Sequence, residues 1–340
     1  MTHPIVRITD THSEVTLRAR TVLIGTAALV LAACGGGDGG QDGSAAGGGD
    51  DGELTPITVG VIPILDVAPI HLGVQEGIFE EHGLDVTLEN AQGGAAIVPA
   101  VVSEQYQFGF SNNTSLLLAQ GEGLDLLSVA PGSSSTNEDR NDFAGVVVQP
   151  ESGIEQAADL AGTSIAINTL NNISDTVVRE AVRQDGGDPS NIEFVELAFP
   201  DMPAAVLDGQ VDAAFVVEPF LSISISEGLR DVASAYALAA ENLSVATYFT
   251  SAQYAEAEPE IADRFTEAMV ESQQYATENP DAVREIITSY TEIDQDLVPE
   301  LTLPAFPDSI NVESVQTLAD LALTDGLLSD EADATELIRQ

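Results

Sequence analysis

Three short polar segments break the apolar runs of this chain, and each is dense in hydrogen-bonding groups. They are Leu65-Asp66-Val67-Ala68-Pro69, Ser111-Asn112-Asn113-Thr114-Ser115 and Asn168-Thr169-Leu170-Asn171-Asn172-Ile173-Ser174-Asp175. Each follows a β-rich run and leads into a helix-like stretch. Ser, Thr, Asn and Asp at such junctions cap helices, because their side-chain oxygens accept from the free N–H groups of the first turn. Left open, the same amides and hydroxyls suit an anionic or strongly polar guest. A fourth candidate, Glu218, ends another apolar run just before Pro219. A carboxylate repels a sulfonate or nitrate and pairs with an ammonium or a ring N–H. No arginine lies in these segments: Arg140, Arg179, Arg183, Arg230, Arg264 and Arg284 fall elsewhere. A simple small anion normally recruits one, so the set leans toward a zwitterion or an amine-bearing heteroaromatic ring. Phe143, Phe199, Phe220 and Tyr248 are aromatics for stacking on a ring or, more commonly, for the core.

Catalytic and metal chemistry find little support. No HExxH, GxSxG or P-loop pattern occurs, and no DxDxDG calcium loop. No cofactor or metal is implied. Beyond residue 34 the only histidines are His71 and His82. His71, two residues after Pro69, is expected in a first helical turn, as a cap-region or cleft residue or, more readily, at the surface. His82, before Gly83, reads as a helix C-terminus, where an imidazolium is favourable.

The elements that position these residues alternate strand and helix. Ile57-Thr58-Val59-Gly60-Val61-Ile62-Pro63 is β-rich, Pro69 opens a helix-like stretch to Phe79, and Gly83-Leu84-Asp85-Val86-Thr87-Leu88 is a second strand. Gly93-Gly94 precedes a helical segment over 95–103, and Phe108-Gly109-Phe110 is a third strand. A further strand, Ile165-Ala166-Ile167, leads to a helix over 176–184. This alternation predicts parallel α/β layers. A repeat offset by about 105 residues sets Gln105-Tyr106-Gln107-Phe108-Gly109-Phe110 against Gln210-Val211-Asp212-Ala213-Ala214-Phe215. It implies two similar lobes with a cleft between them, and makes Glu218 the second-lobe counterpart of Asn113.

The N-terminus is built differently. Arg18 and Arg20 precede an uncharged, mostly apolar run over residues 21–33, which ends Leu31-Ala32-Ala33 before Cys34, the only cysteine. A charged flank, a short apolar core and small residues before a cut site make a secretory signal. As a helix this run rises only about 20 Å, short of a hydrocarbon core of about 30 Å. Residues 35–53, GGGDGGQDGSAAGGGDDGE, hold no aliphatic side chain larger than alanine and read as a flexible tether spanning roughly 20–25 Å.

Charge bounds the partners. The chain carries 56 acidic and 10 basic residues; all ten are arginine, and lysine is absent. Such a balance excludes nucleic acid, whose phosphates need clustered cations. Hydrophobic content of 44% argues against disorder as the origin of the charge. Spread along the chain, the acids suit a folded protein working in concentrated salt, where screening lengths shrink.

Several stretches resemble the solute-binding proteins of ABC importers in the nitrate/sulfonate/taurine (NMT1/THI5-like) group. One runs from Val59-Gly60-Val61-Ile62-Pro63 through Ala68-Pro69-Ile70 to Glu76-Gly77-Ile78-Phe79-Glu80-Glu81-His82-Gly83-Leu84-Asp85-Val86. Another is Asp159-Leu160-Ala161-Gly162-Thr163-Ser164-Ile165-Ala166, continued by Gly209-Gln210-Val211-Asp212-Ala213-Ala214 and Glu218-Pro219. The small-small-Cys ending resembles a bacterial lipobox. The resemblance implies an α/β, type II periplasmic-binding fold with two lobes: 54–142 plus 245–340, and 143–244, after a signal over 1–33 and the tether over 34–53. It implies that the first loops converge on the cleft, so the candidate ligand residues are Asp66, Val67, Ala68, Asn112, Asn113, Thr114, Thr169, Asn171, Asn172, Ser174 and Glu218. It also implies lipidation of Cys34, a place on the outer face of the cytoplasmic membrane, and a monomer. Such a protein hands a small-molecule solute to a permease with its cytoplasmic ATPase. A binding protein kept as a sensor is the alternative of another class. The fungal thiamin-pyrimidine synthases share the fold, but their cysteine-rich catalytic segment has no counterpart here.

Overall fold

β-branched and small residues in Thr55–Val61 form β1, whose C-terminal half is fully buried. The computed structural model describes residues 54–339; the signal, the tether and Cys34 lie outside them. β1 pairs in parallel with β2 (Leu84–Asn90), Thr55 opposite Leu84 through Val61 opposite Asn90, and with β3 (Phe108–Asn112) on its other side. β4 (Leu126–Pro131) completes this sheet through an antiparallel late strand, β10 (Ala246–Ser251), so the order is β2-β1-β3-β10-β4.

The second sheet repeats that order. β7 (Glu193–Glu196), β6 (Ser164–Ile167), β8 (Ala213–Val217), β5 (Ala144–Val148) and β9 (Arg230–Ala233) lie side by side as β7-β6-β8-β5-β9, with β5 the antiparallel member. β3 and β8 stand in register with the offset seen in the sequence. The residue after each is tied to the antiparallel neighbour's side in the same way: Asn113 N–H donates to Val245 O (3.0 Å) and Glu218 N–H to Phe143 O (2.8 Å). The chain passes between the sheets twice, over 132–143 and 234–245.

Some boundaries differ from the sequence reading. The helix expected from Pro69 to Phe79 is two, Ala68–Gln75 and Ile78–Glu81, because Gly77 takes a left-handed φ of 81° between them. The helix expected over 176–184 begins earlier, at Ile173, because Asn172 accepts from Ser174 N–H as its cap. The polar Ser133-Ser134-Ser135 stretch is pinned at Ser134 by bridges to Ser244 and Ala305. Helix Pro259–Glu278 packs along β4 and the Ala68–Gln75 helix. Its Phe265 stacks on Phe108 at 3.9 Å between ring centres. His82 caps the Ile78–Glu81 helix and meets Glu271 at 2.9 Å. Among the described residues no helix is long and apolar enough to cross a membrane.

Candidate ligand cleft

The strand ends of the two sheets meet. Leu65 N–H, just past β1, donates to Glu218 O just past β8 at 3.0 Å. Gln92, past β2, reaches Asn168 O at 3.5 Å, the outer limit of a hydrogen bond. Gly93 lies so close to the loop after β6 that a Cβ there would sit 2.5 Å from Thr169 Oγ1. Helices Asn113–Gly121 and Ile173–Gln184 pack on each other and on Val312–Thr324. Arg183 Nη2 adds an ion pair to Asp325 Oδ1 at 2.5 Å.

Asp66 and Val67 form a short 3-10 turn after β1, Ala68 opens the next helix, and all three are buried. Asn112 caps its own helix, accepting from Ser115 N–H at 2.8 Å. Asn113 is fully committed within the fold: Nδ2 donates to Ser244 O, and Oδ1 accepts from Thr247 Oγ1. Thr114 is buried with an unpartnered hydroxyl. Asn172 holds Ser174 N–H and donates to Asn168 Oδ1, and Ser174 is buried. Asn171 stands apart: it is exposed, with φ 53°, and lines a separate cavity of about 320 Å³ beside Leu118, Gly326 and Leu328.

Glu218 is 1% exposed, and its carboxylate is already occupied. It accepts from Ser222 N–H (3.0 Å), Ser222 Oγ (2.8 Å) and Thr302 N–H (3.1 Å). The side chain borders a pocket of about 370 Å³ shared with Arg140, Asp142, Asp231 and Glu300. Burial, only partly opposed by those three bonds, pushes it up to about 7.

Asp66 is different, since half its carboxylate is unused. Ser133 Oγ donates to Oδ1 at 2.6 Å, while Oδ2 is buried without a partner. Burial raises this group to about 6; the Ser133 bond opposes the rise and nearby Asp142 adds to it. No cation contributes at Asp66. Asp142, itself raised by burial, accepts from Ser135 Oγ at 2.6 Å and from the backbone of Thr136 and Phe143. Around these acids stand three phenols held well above their ordinary range, chiefly by burial: Tyr236, Tyr248 and Tyr290. The field of Asp66 reaches all three. Tyr248, weighed above as a ring-stacking residue, is buried against Phe110 and Phe265, and its hydroxyl has no partner. Phe199 and Phe220 stack on each other at 5.8 Å, and Phe143 packs on Tyr236.

His71 corrects an expectation. It is half-buried rather than on the surface, stacked on Tyr290 at 3.8 Å, and burial lowers it to about 4, so the imidazole is neutral at physiological pH. Ser133, Asp142, Tyr236 and Tyr290 are neighbours of Asp66 that no motif in the sequence singles out. Only Ser133 has a local signal, the polar run 133–137, which reads equally well as a linker.

Two mixed sheets of identical strand order, meeting at their strand ends around buried polar groups, define the periplasmic-binding fold of type II. Solved structures agree on the fold. The aliphatic sulphonate-binding protein SsuA of Escherichia coli superposes with a TM-score of 0.69 at 19% identity, over 83% of this chain and 97% of that one. SsuA from Xanthomonas axonopodis pv. citri bound to MOPS gives 0.70 at 18%, covering 84% and 99%. The nitrate-binding protein NrtA from Synechocystis PCC 6803 gives 0.70 at 14%, covering 83% and 84%. The chain belongs to the NMT1/THI5-like family, whose model matches residues 65–283. The taurine-binding periplasmic protein of Escherichia coli K12 is 26% identical over 204 residues, 59% of this chain and 61% of that protein's length.

Proposed function

We propose that this chain is the extracytoplasmic solute-binding component of an ABC importer, capturing a small polar solute between two lobes and presenting it to a permease with its cytoplasmic ATPase. The observation that carries this reading is the meeting of two like-ordered sheets around buried polar atoms whose hydrogen-bonding capacity is unused, Asp66 Oδ2 first among them. Membership of the NMT1/THI5-like family and the taurine-binding relative support it. The role is binding rather than catalysis. The lobes are 54–142 with 245–340, and 143–244, and they close on the solute as a monomer. Asp66, Val67, Ala68, Asn112, Thr114, Thr169, Asn172, Ser174 and Glu218 line or support the cleft. Cys34 becomes the lipidated N-terminus, and the Gly-rich tether holds the body just clear of the outer face of the cytoplasmic membrane. Thermal unfolding in molar salt, with and without taurine, alkanesulfonates and nitrate, tests the binding role. A solute that binds only the folded chain stabilises it by about 2.7 kcal/mol at a hundred-fold excess over Kd. A melting temperature unmoved by every such solute overturns the reading.

A further inference from the structure

The cleft holds one polar atom whose chemistry is specific enough to name the class of group it awaits. Asp66 is 2% exposed, and its orientation is locked, because Oδ1 is held at 2.6 Å by Ser133 Oγ. Ser133 is itself fixed: its carbonyl accepts from Val245 N–H at 2.9 Å, on the segment leading into β10. With Oδ1 held there, Oδ2 stays buried and unpartnered. A buried acceptor left open costs free energy that the fold recovers only when a donor arrives. Tyr248, fully buried and lying within the field of Asp66, offers a second unpartnered oxygen. None of the seven arginines among the described residues bonds Asp66: Arg179 holds Asp175, Arg230 holds Ile154 O, Arg339 holds Asp263, and Arg140, which lines the pocket beside Glu218, donates to Asp231 O at 3.4 Å. No group of three or more acids, cysteines or histidines among the described residues is arranged to hold a metal. The donor that fits a lone buried carboxylate oxygen flanked by neutral hydroxyls is an ammonium, which carries three N–H groups and one positive charge.

We propose that Asp66 is the charge-selecting contact of the cleft, receiving the protonated amine of the solute on Oδ2. The assignment rests on the reading of the cleft as the solute site, and it makes the solute an amino-bearing zwitterion or amine rather than a plain sulfonate or nitrate. The anionic end of a zwitterion then faces the loops of the other strand ends, where helix N-termini and hydroxyls are available.

The test uses pairs of solutes that differ only in amine against hydroxyl: taurine against isethionate, and β-alanine against 3-hydroxypropanoate. Each is titrated calorimetrically into the purified full chain in molar salt. The amine member of at least one pair is expected to bind at least about 30-fold more tightly, the low end of the loss for a buried charge pair. Asp66→Asn is expected to abolish that preference while moving the hydroxyl member by less than about threefold. Should Asp66→Asn fail to fold, the paired preference of the native chain and its reduction in Ser133→Ala decide the matter. Equal binding of amine and hydroxyl members, or an Asp66→Asn protein that keeps the preference, overturns the assignment and leaves the solute-binding reading standing. Binding of none of the four overturns the solute-binding reading for this class of small zwitterions and anions, and the assignment falls with it.

Discussion

Glu218→Gln reverses the usual expectation for removing a bonded carboxylate, and the structure supplies the size of the effect. The side chain is 1% exposed and accepts three hydrogen bonds, from Ser222 N–H, Ser222 Oγ and Thr302 N–H. Even so, burial lifts its pKa from 4.5 to about 7. In the unfolded chain the group ionises near the ordinary value, while the folded chain holds its proton until about 7. Between those limits the native state binds more protons, so stability is full below about 4.5 and is lost as pH rises through 7. At about 1.4 kcal/mol per pKa unit, the loss between pH 5 and pH 8 from this one residue is about 2–3 kcal/mol. Glutamine cannot titrate, and its amide sets one N–H against neighbouring donors, much as a protonated carboxyl does. Near pH 5 the two proteins should therefore differ little. At pH 8 the variant should gain about 2–3 kcal/mol relative to the parent and become the more stable. Urea unfolding of both proteins at the two pH values, in the same molar salt, measures the difference directly. Other buried acids such as Asp66 and Asp231, also raised, cancel in the comparison. Stability curves that stay parallel from pH 5 to 8 would refute the claim that Glu218 carries its proton to neutrality.

Three further outcomes are expected. Cys34→Ser should release the chain from membranes into the soluble fraction, and intact-mass measurement should find a diacylglyceryl-modified cysteine at the mature parent's N-terminus; an unmodified residue there sinks the anchor. The melting temperature should climb steeply between 0.1 M and 1 M salt, because a net charge of −46 is screened over about 10 Å at the lower concentration and about 3 Å at the higher. A flat profile would remove the case for salt adaptation. Gly93→Ala should weaken solute binding by roughly tenfold with little change in unfolding temperature, since its Cβ would press on Thr169 Oγ1 at 2.5 Å across the meeting of the two loops. A large fall in stability with unchanged affinity would instead make Gly93 a packing residue.

How much of this was legible in the sequence depended on the range of the interaction. The α/β alternation and the repeat could be read because both are local patterns written twice, and β3 and β8 stand at the offset that Phe110 and Phe215 display. Helix starts were legible to within a few residues, and the errors had local causes, a left-handed Gly77 and a capping Asn172. What the residues around the cleft do was far less legible. Glu218 reads as a carboxylate facing a guest or as one at a helix N-terminus; the N–H and hydroxyl of Ser222, four residues on, and a backbone amide 84 residues on, at Thr302, occupy it. Asp66 reads as a ligand residue or a cap, yet it caps nothing, and its one side-chain partner lies 67 residues away at Ser133. Two carboxylates that both read as ligand candidates thus end differently, Glu218 occupied within its own helix turn and Asp66 half open. Which of them remains open is decided by where the crossing segment and the C-terminal segment lie, and no spacing rule within either motif encodes that.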